Sequence, residues 1–166
     1  MRYIFLGLAA LALMGASSAV QVPITVLPAS GGGGPDMFQQ QLLDLINTSR
    51  AGGGLPPYTF SAVQSNGTGS CIGSVGHSEH MAQTGQLVHD QFPADLCLPF
   101  HTAGENICEW QAAEAQAIIN CHQAMMAEGP SGGHYQNIMN QNYQTVGLGL
   151  VFQNGVLWMT EDFIGR

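Results

Sequence analysis

Lysine is absent from this chain, and charged residues of both signs make up only 8% of its 166 positions. Beyond residue 19 the only basic side chains are Arg50 and Arg166, set against 11 carboxylates. With a formal charge of −8 and no basic cluster, the chain has nothing to lay along a phosphate backbone, so nucleic acid is excluded as a partner. Anionic lipid headgroups would repel it for the same reason. Acidity alone points to nothing beyond solubility. No two cysteines are spaced C-x-x-C, which removes zinc-ribbon and thioredoxin-like readings. No repeat is present, and the length suits one domain with appendages.

What is there begins with a targeting segment. Arg2 supplies a positive start, Tyr3 to Met14 a short apolar core, and Ser17-Ser18-Ala19 the small residues of a cleavage site. The apolar core is too short to span a bilayer, and no cysteine is near enough for a lipid anchor. Residues 1–19 therefore read as a signal peptide, and the domain as secreted, or periplasmic in a bacterium, with no stable membrane anchor. Residues 20–35, with Pro23, Pro28, Gly31 to Gly34 and Pro35, read as a linker. The domain proper covers 36–166. Export makes the four cysteines readable: Cys71, Cys97, Cys108 and Cys121 should form two disulfides.

Asp36 can cap a first helix with Gln39 at its N3 position, and Phe38, Leu42, Leu45 and Ile46 recur at helical spacing. Gly52-Gly53-Gly54 and Pro56-Pro57 end it. Arg50 should pair with a carboxylate or cap carbonyls at the helix end. A second helix fits 70–84, with Ile72, Val75, Glu79 and Ala82 along one stripe. His77-Ser78-Glu79-His80 on it is not H-E-x-x-H, so these histidines read as packing or capping residues. A long loop containing Pro93 follows. Residues 103–108 read as a strand, and 112–128 as a helix with His122 on its apolar face as a core histidine. The end is a hairpin turning at Asn154-Gly155. Gly147 and Gly149 on one face of it call for something packed very close. This order argues an α+β fold, a three-layer α/β/α sandwich with a small antiparallel sheet between helices.

Two histidines and two glutamates sit beside small or apolar residues in separate segments: His89 in Leu87-Val88-His89, Glu105 in Gly104-Glu105-Asn106-Ile107, Glu128, and His134 in Gly133-His134-Tyr135. An unpaired carboxylate in such surroundings is costly, so these four should converge in one cleft.

The same pieces carry a resemblance. Ile46-Asn47-Thr48-Ser49-Arg50 with Gly54-Leu55-Pro56, His77-Ser78 with Met81-Ala82, Gly104 to Ile107, Gly133 to Tyr135 with Asn137-Ile138, Val146 to Gly149 and Thr160 to Phe163 run in one order. Together they resemble the CAP superfamily, the SCP-like domains of cysteine-rich secretory proteins, antigen 5 and plant pathogenesis-related proteins. The resemblance covers about 38–164. It implies a cleft of two His and two Glu, falling here on His89, Glu105, Glu128 and His134, with His101 a rival for the first histidine. The helix ending at Glu128 carries Met125-Met126 where the family often has Trp.

Such a set can hold Zn2+ or another divalent ion, with His89 and His134 as candidate ligands and Glu105 and Glu128 as cleft partners. A carboxylate can equally orient a histidine through its ring proton. The expected role is a binding module for a metal ion and an apolar ligand, its partner a small molecule, lipid or peptide, and its state monomeric. The alternative is a metal-dependent hydrolase in the same cleft, for which Ser78 and Ser131 are nucleophile candidates by nearness to histidines. Among the disulfide connectivities, Cys71–Cys97 with Cys108–Cys121 closes loops of modest length and is favoured. Cys71–Cys108 with Cys97–Cys121 stays open, while Cys71–Cys121 would join opposite faces of the sandwich.

Overall fold

The computed structural model describes residues 34–166. The expected signal peptide and the linker up to residue 33 lie outside the described residues. Asp36 caps α1 (Met37–Gly52), accepting from the Phe38 and Gln39 amides while the Gln39 side chain accepts from the Asp36 amide, the reciprocal box expected. There follow β1 (Thr59–Phe60), α2 (Ala62–Asn66), α3 (Gly73–Thr84), β2 (Thr102–Gln111) and α4 (Glu114–Ala127). A 3-10 turn (Gly129–Ser131), α5 (Gly133–Ile138), β3 (Thr145–Gln153) and β4 (Val156–Gly165) complete the chain. The sheet runs β1-β3-β4-β2. β4 pairs antiparallel with both β3 and β2, and the two-residue β1 adds a parallel edge to β3 that makes the sheet mixed. Asn154 and Gly155, at φ 54° and 78°, turn the β3–β4 hairpin.

The period of two along β3 and β4 divides two cores. Val146, Leu148, Leu150 and Phe152 with Leu157, Met159 and Phe163 face α1, α4 and α5, meeting Leu42, Ile46, Ile118, Met125 and Ile138. Val151, Trp158 and Ile107 face α3, meeting Met81 and Ala82. The chain is thus a three-layer α/β/α sandwich. Cys71–Cys97 and Cys108–Cys121 both form, the first pinning the 86–100 loop, the second tying β2 to α4. Each bridge contributes about 2–4 kcal/mol by restricting the unfolded chain.

The α3 face corrects the sequence reading. Its buried stripe is Gly73, Ser74, His77, Ser78, Met81 and Ala82, while Ile72 is exposed. The reason lies in β3. A Cβ on Gly149 would stand 2.0 Å from the Ser74 carbonyl oxygen, and one on Gly147 would stand 2.3 Å from Gln64 Cγ. The backbone of α3 therefore presses directly on the sheet at Gly149, and only a small side chain fits at that point of its contact face. Ser74 and Ser78 lie there and bond Asp162 and Thr160. A contact made of glycine and serine leaves no hydrophobic periodicity to read.

Arg50 also departs in part from expectation. Its guanidinium is fully buried and meets no carboxylate among the described residues. It donates to the carbonyls of Pro56, Ile138 and Asn140, and lies 3.5 Å over the Tyr58 ring. It caps carbonyls as expected, but those at the end of α5 rather than of its own helix.

Candidate metal centre

Alternation along β2 sends neighbouring side chains to opposite faces of the sheet. Glu105 points towards α3, and Asn106 towards α5. Glu105 is nearly sealed, and its two oxygens meet two imidazoles. Oε1 accepts from His89 Nδ1 at 2.6 Å, and Oε2 lies 2.6 Å from His77 Nδ1. His89 comes from the 86–100 loop and is about half exposed. His77 comes from α3 and is fully buried, with Asp95 Oδ2 3.1 Å from the same Nδ1 and the Val88 carbonyl 2.9 Å from Nε2.

Asp95 is fully buried as well. Its backbone carbonyl accepts from Gln64 of α2, and the same amide group bonds Asp162. His77, Asp95 and Glu105 are the one trio among the described residues whose ligand atoms all lie within 4.8 Å of one another, and they could hold a metal ion. Burial alone would lower the His77 imidazole. The hydrogen bonds to Asp95 and Glu105, the Glu105 charge and the Val88 carbonyl outweigh it and raise the pKa to about 10. Behind the trio, burial pushes Asp162 well above the usual carboxylate range, and the charges of Asp95 and Glu105 add to that against the bonds from Ser74 and Gln64.

The second pair lies at the junction of α4 and α5. Glu128 follows the last turn of α4 and folds back over Gly132, where a Cβ would meet its side chain. Its carboxylate takes both the His134 amide and His134 Nδ1. The bond from the His134 ring, ahead of the small opposing effect of burial, holds the Glu128 carboxyl below its ordinary value. α5 is then fastened to β2 by Asn106, whose amide donates to the His134 carbonyl and to Glu161, and by Asn137, whose amide donates to the Glu105 carbonyl and to Asn106. The four expected residues thus form two pairs, Glu105–His89 and Glu128–His134.

The other candidates separate. His101 is exposed in a hollow with Pro99, Phe100 and Arg166. His122 is buried against Ser49 and pushed down to about 4 by burial, as suits a core histidine. His80 pairs with Asp90 at the surface. Ser78 is sealed against Thr160, which removes it as a nucleophile. Ser131 is exposed, and Gly129 to Gly133 has the spacing Gly-x-Ser-x-Gly. The turn joins two helices, however, and lacks the strand-to-helix context of a nucleophile elbow. Sequence reasoning missed Asp95, one polar residue in an irregular loop, and gave His77 a packing role. The nearest signal was the Cys71–Cys97 bridge, which draws that loop onto α3.

Glu161 is the other buried carboxyl, on the opposite face. Burial raises it to about 7, against the bond from Asn106, and its Oε1 has no partner among the described residues. Because the folded value lies above the ordinary 4.5, the stability contributed by the neutral acid is complete below about 4.5 and is lost as pH rises through about 7. Glu161→Gln should therefore stabilise the domain by about 1–2 kcal/mol at pH 8 and by nothing at pH 4.5, as read by urea unfolding at both. A gain independent of pH would contradict the assignment.

No family model matches the sequence. The uncharacterized protein YkwD of Bacillus subtilis is 26% identical over 132 residues, 78% of this chain and 48% of that protein. The chain thus spans about half the length of the curated relative it matches. The crystal structure of an extracellular SCP-domain protein of Bacillus anthracis superposes with a TM-score of 0.58 at 26% identity, over 82% of this chain and 45% of that one. The chain has the CAP-superfamily fold. NaASP2, solved with Zn2+, shares the fold at 14% identity, with a TM-score of 0.57 over 84% of this chain and 88% of that one. No described helix is long and apolar enough to cross a membrane.

Proposed function

We propose that the protein is a secreted CAP-fold binding module whose cleft takes a divalent metal ion through His89 and His134. One observation carries this reading: each histidine has its Nδ1 against a carboxylate, Glu105 for His89 and Glu128 for His134. A carboxylate on Nδ1 fixes the ring proton there and leaves Nε2 with its lone pair, the arrangement in which histidines bind metal. Glu105 and Glu128 orient the two rings. A divalent ion bound there would act as a Lewis acid and as an anchor for a ligand's oxygen or nitrogen. The Zn2+ of NaASP2 and the extracellular Bacillus anthracis relative are consistent with it.

Zinc titration of the folded mature chain tests the reading. His89→Ala and His134→Ala should each weaken binding at least about a hundredfold, and Glu128→Gln by about ten- to a hundredfold. His80→Ala and His122→Ala should leave it unchanged, and acid should release the ion as protons compete for the ring nitrogens. Equal affinities for the wild type and the His89 and His134 variants would end the proposal. Whether the loaded cleft presents itself to a small molecule, a lipid or a peptide is decided by a binding screen with and without chelator. Chelator-sensitive turnover of a peptide substrate would favour hydrolysis instead.

A further inference from the structure

We infer that His77, Asp95 and Glu105 form a second, sealed cation site, separate from the open cleft, that takes up one divalent N/O-liganded ion such as Zn2+ as the domain folds. The chemistry of His77 sets the first condition. A carbonyl can only accept, so the 2.9 Å contact with Val88 places a proton on Nε2. In the neutral ring Nδ1 then carries a lone pair, and it faces Asp95 Oδ2 and Glu105 Oε2, which are themselves acceptors. Three electron-rich atoms pointing at one another need a cation among them. An outer ring N–H bound to a carbonyl is also how metal-bound histidines are commonly held.

A second observation distinguishes a metal ion from a proton. Asp95 is fully buried, and its Oδ1 has no partner among the described residues. A proton on Nδ1 would answer Oδ2 and leave Oδ1 orphaned in the interior, a costly state. A metal ion can take both oxygens of Asp95. The donor set is then one nitrogen and three oxygens, suited to a borderline ion. Asp162, bonded by Ser74 and Gln64, lies behind the site.

All three side chains are essentially inaccessible, so no position is left open for a substrate and the ion is structural. The ion would join α3, β2 and the loop carrying Asp95. Glu105 serves both sites, with Oε1 towards His89 and Oε2 towards His77.

The test uses the mature chain with both disulfides intact and the double substitution His89→Ala, His134→Ala, which removes the open cleft. It is unfolded in guanidinium with chelator, then refolded with or without zinc and freed of excess ion. The expected result is one tightly held zinc per chain, whose X-ray absorption spectrum reads one imidazole and otherwise oxygen donors. With free zinc then restored to a hundredfold excess over the dissociation constant, the unfolding midpoint should rise by roughly 8 °C. Adding Asp95→Asn should lower zinc affinity by about a hundredfold. Should that variant not fold, the stoichiometry and the spectrum still decide the matter. Refolded protein without zinc and with an unchanged midpoint would overturn the inference and leave a proton on His77. A spectrum with two or more imidazoles would overturn it as well. Loss of zinc uptake from the open cleft alone would leave this site standing, so the two readings fail separately.

Discussion

Gly149→Ala should destabilise the domain by roughly 3 kcal/mol, and Gly149→Val by enough to abolish the cooperative urea transition at 37 °C. The added Cβ would fall 2.0 Å from the Ser74 carbonyl oxygen, 2.3 Å from the carbonyl carbon and 2.7 Å from the Val75 nitrogen. All three atoms belong to the α3 backbone, so no side-chain rotation can make room. The helix would have to lift from the sheet. Lifting would draw Met81 and Ala82 off Ile107, Val151 and Trp158, and pull Ser74 and Ser78 from Asp162 and Thr160. It would also move His77 from Glu105, so any ion held there should be lost with the stability. A Gly149→Ala protein within 1 kcal/mol of the wild type would show that α3 is not held this close.

Arg50→Met should cost about 4 kcal/mol in urea unfolding, although methionine can fill much of the same volume. The substitution leaves the carbonyls of Pro56, Ile138 and Asn140 without their charged donor, and a hydrogen bond to a charged group is worth about 1.5–3 kcal/mol. It also removes the guanidinium over Tyr58. Water can reach some of the freed carbonyls, which keeps the expected loss below the sum of the bonds. Arg50→Lys should recover less than half of it. A single ammonium lacks the planar fork that spans the loop after α1 and the end of α5. Because α5 carries His134, both substitutions should also weaken zinc binding in the open cleft. A loss under 1 kcal/mol for Arg50→Met would mean that solvent satisfies all three carbonyls.

The α1 capping box, the hairpin turn at Asn154-Gly155 and the close approach at Gly147 and Gly149 were legible because each depends on chemistry local to the sequence. The sandwich followed from the order of such elements. The two disulfides were legible from the even number of cysteines in a chain expected to be exported, and the favoured pairing from loop length. The helix α2 and the strand β1 were not, being too short for any period to show. The contact face of α3 was misread because steric closeness selects glycine and serine there, and hydrophobic periodicity carries no trace of that. At the site, Glu105 stood out because a carboxylate is costly beside apolar neighbours, and it is buried; the same argument misplaced Glu128, which lies exposed with its side chain about one-third accessible. Their pairing with His89 and His134 is visible only when the chain is folded. Asp95 had no sequence signal of its own. Its burial arises from the loop drawn in by Cys71–Cys97 and from Gln64, which bonds its backbone and that of Cys97.

Anomalous X-ray diffraction at the zinc edge, from crystals of the mature chain loaded with zinc at neutral pH, tests the central claim most directly. A peak in contact with Nε2 of both His89 and His134, while Nδ1 of each stays on its carboxylate, is the predicted result. Crystals saturated with zinc that show no peak at either Nε2 atom would contradict it.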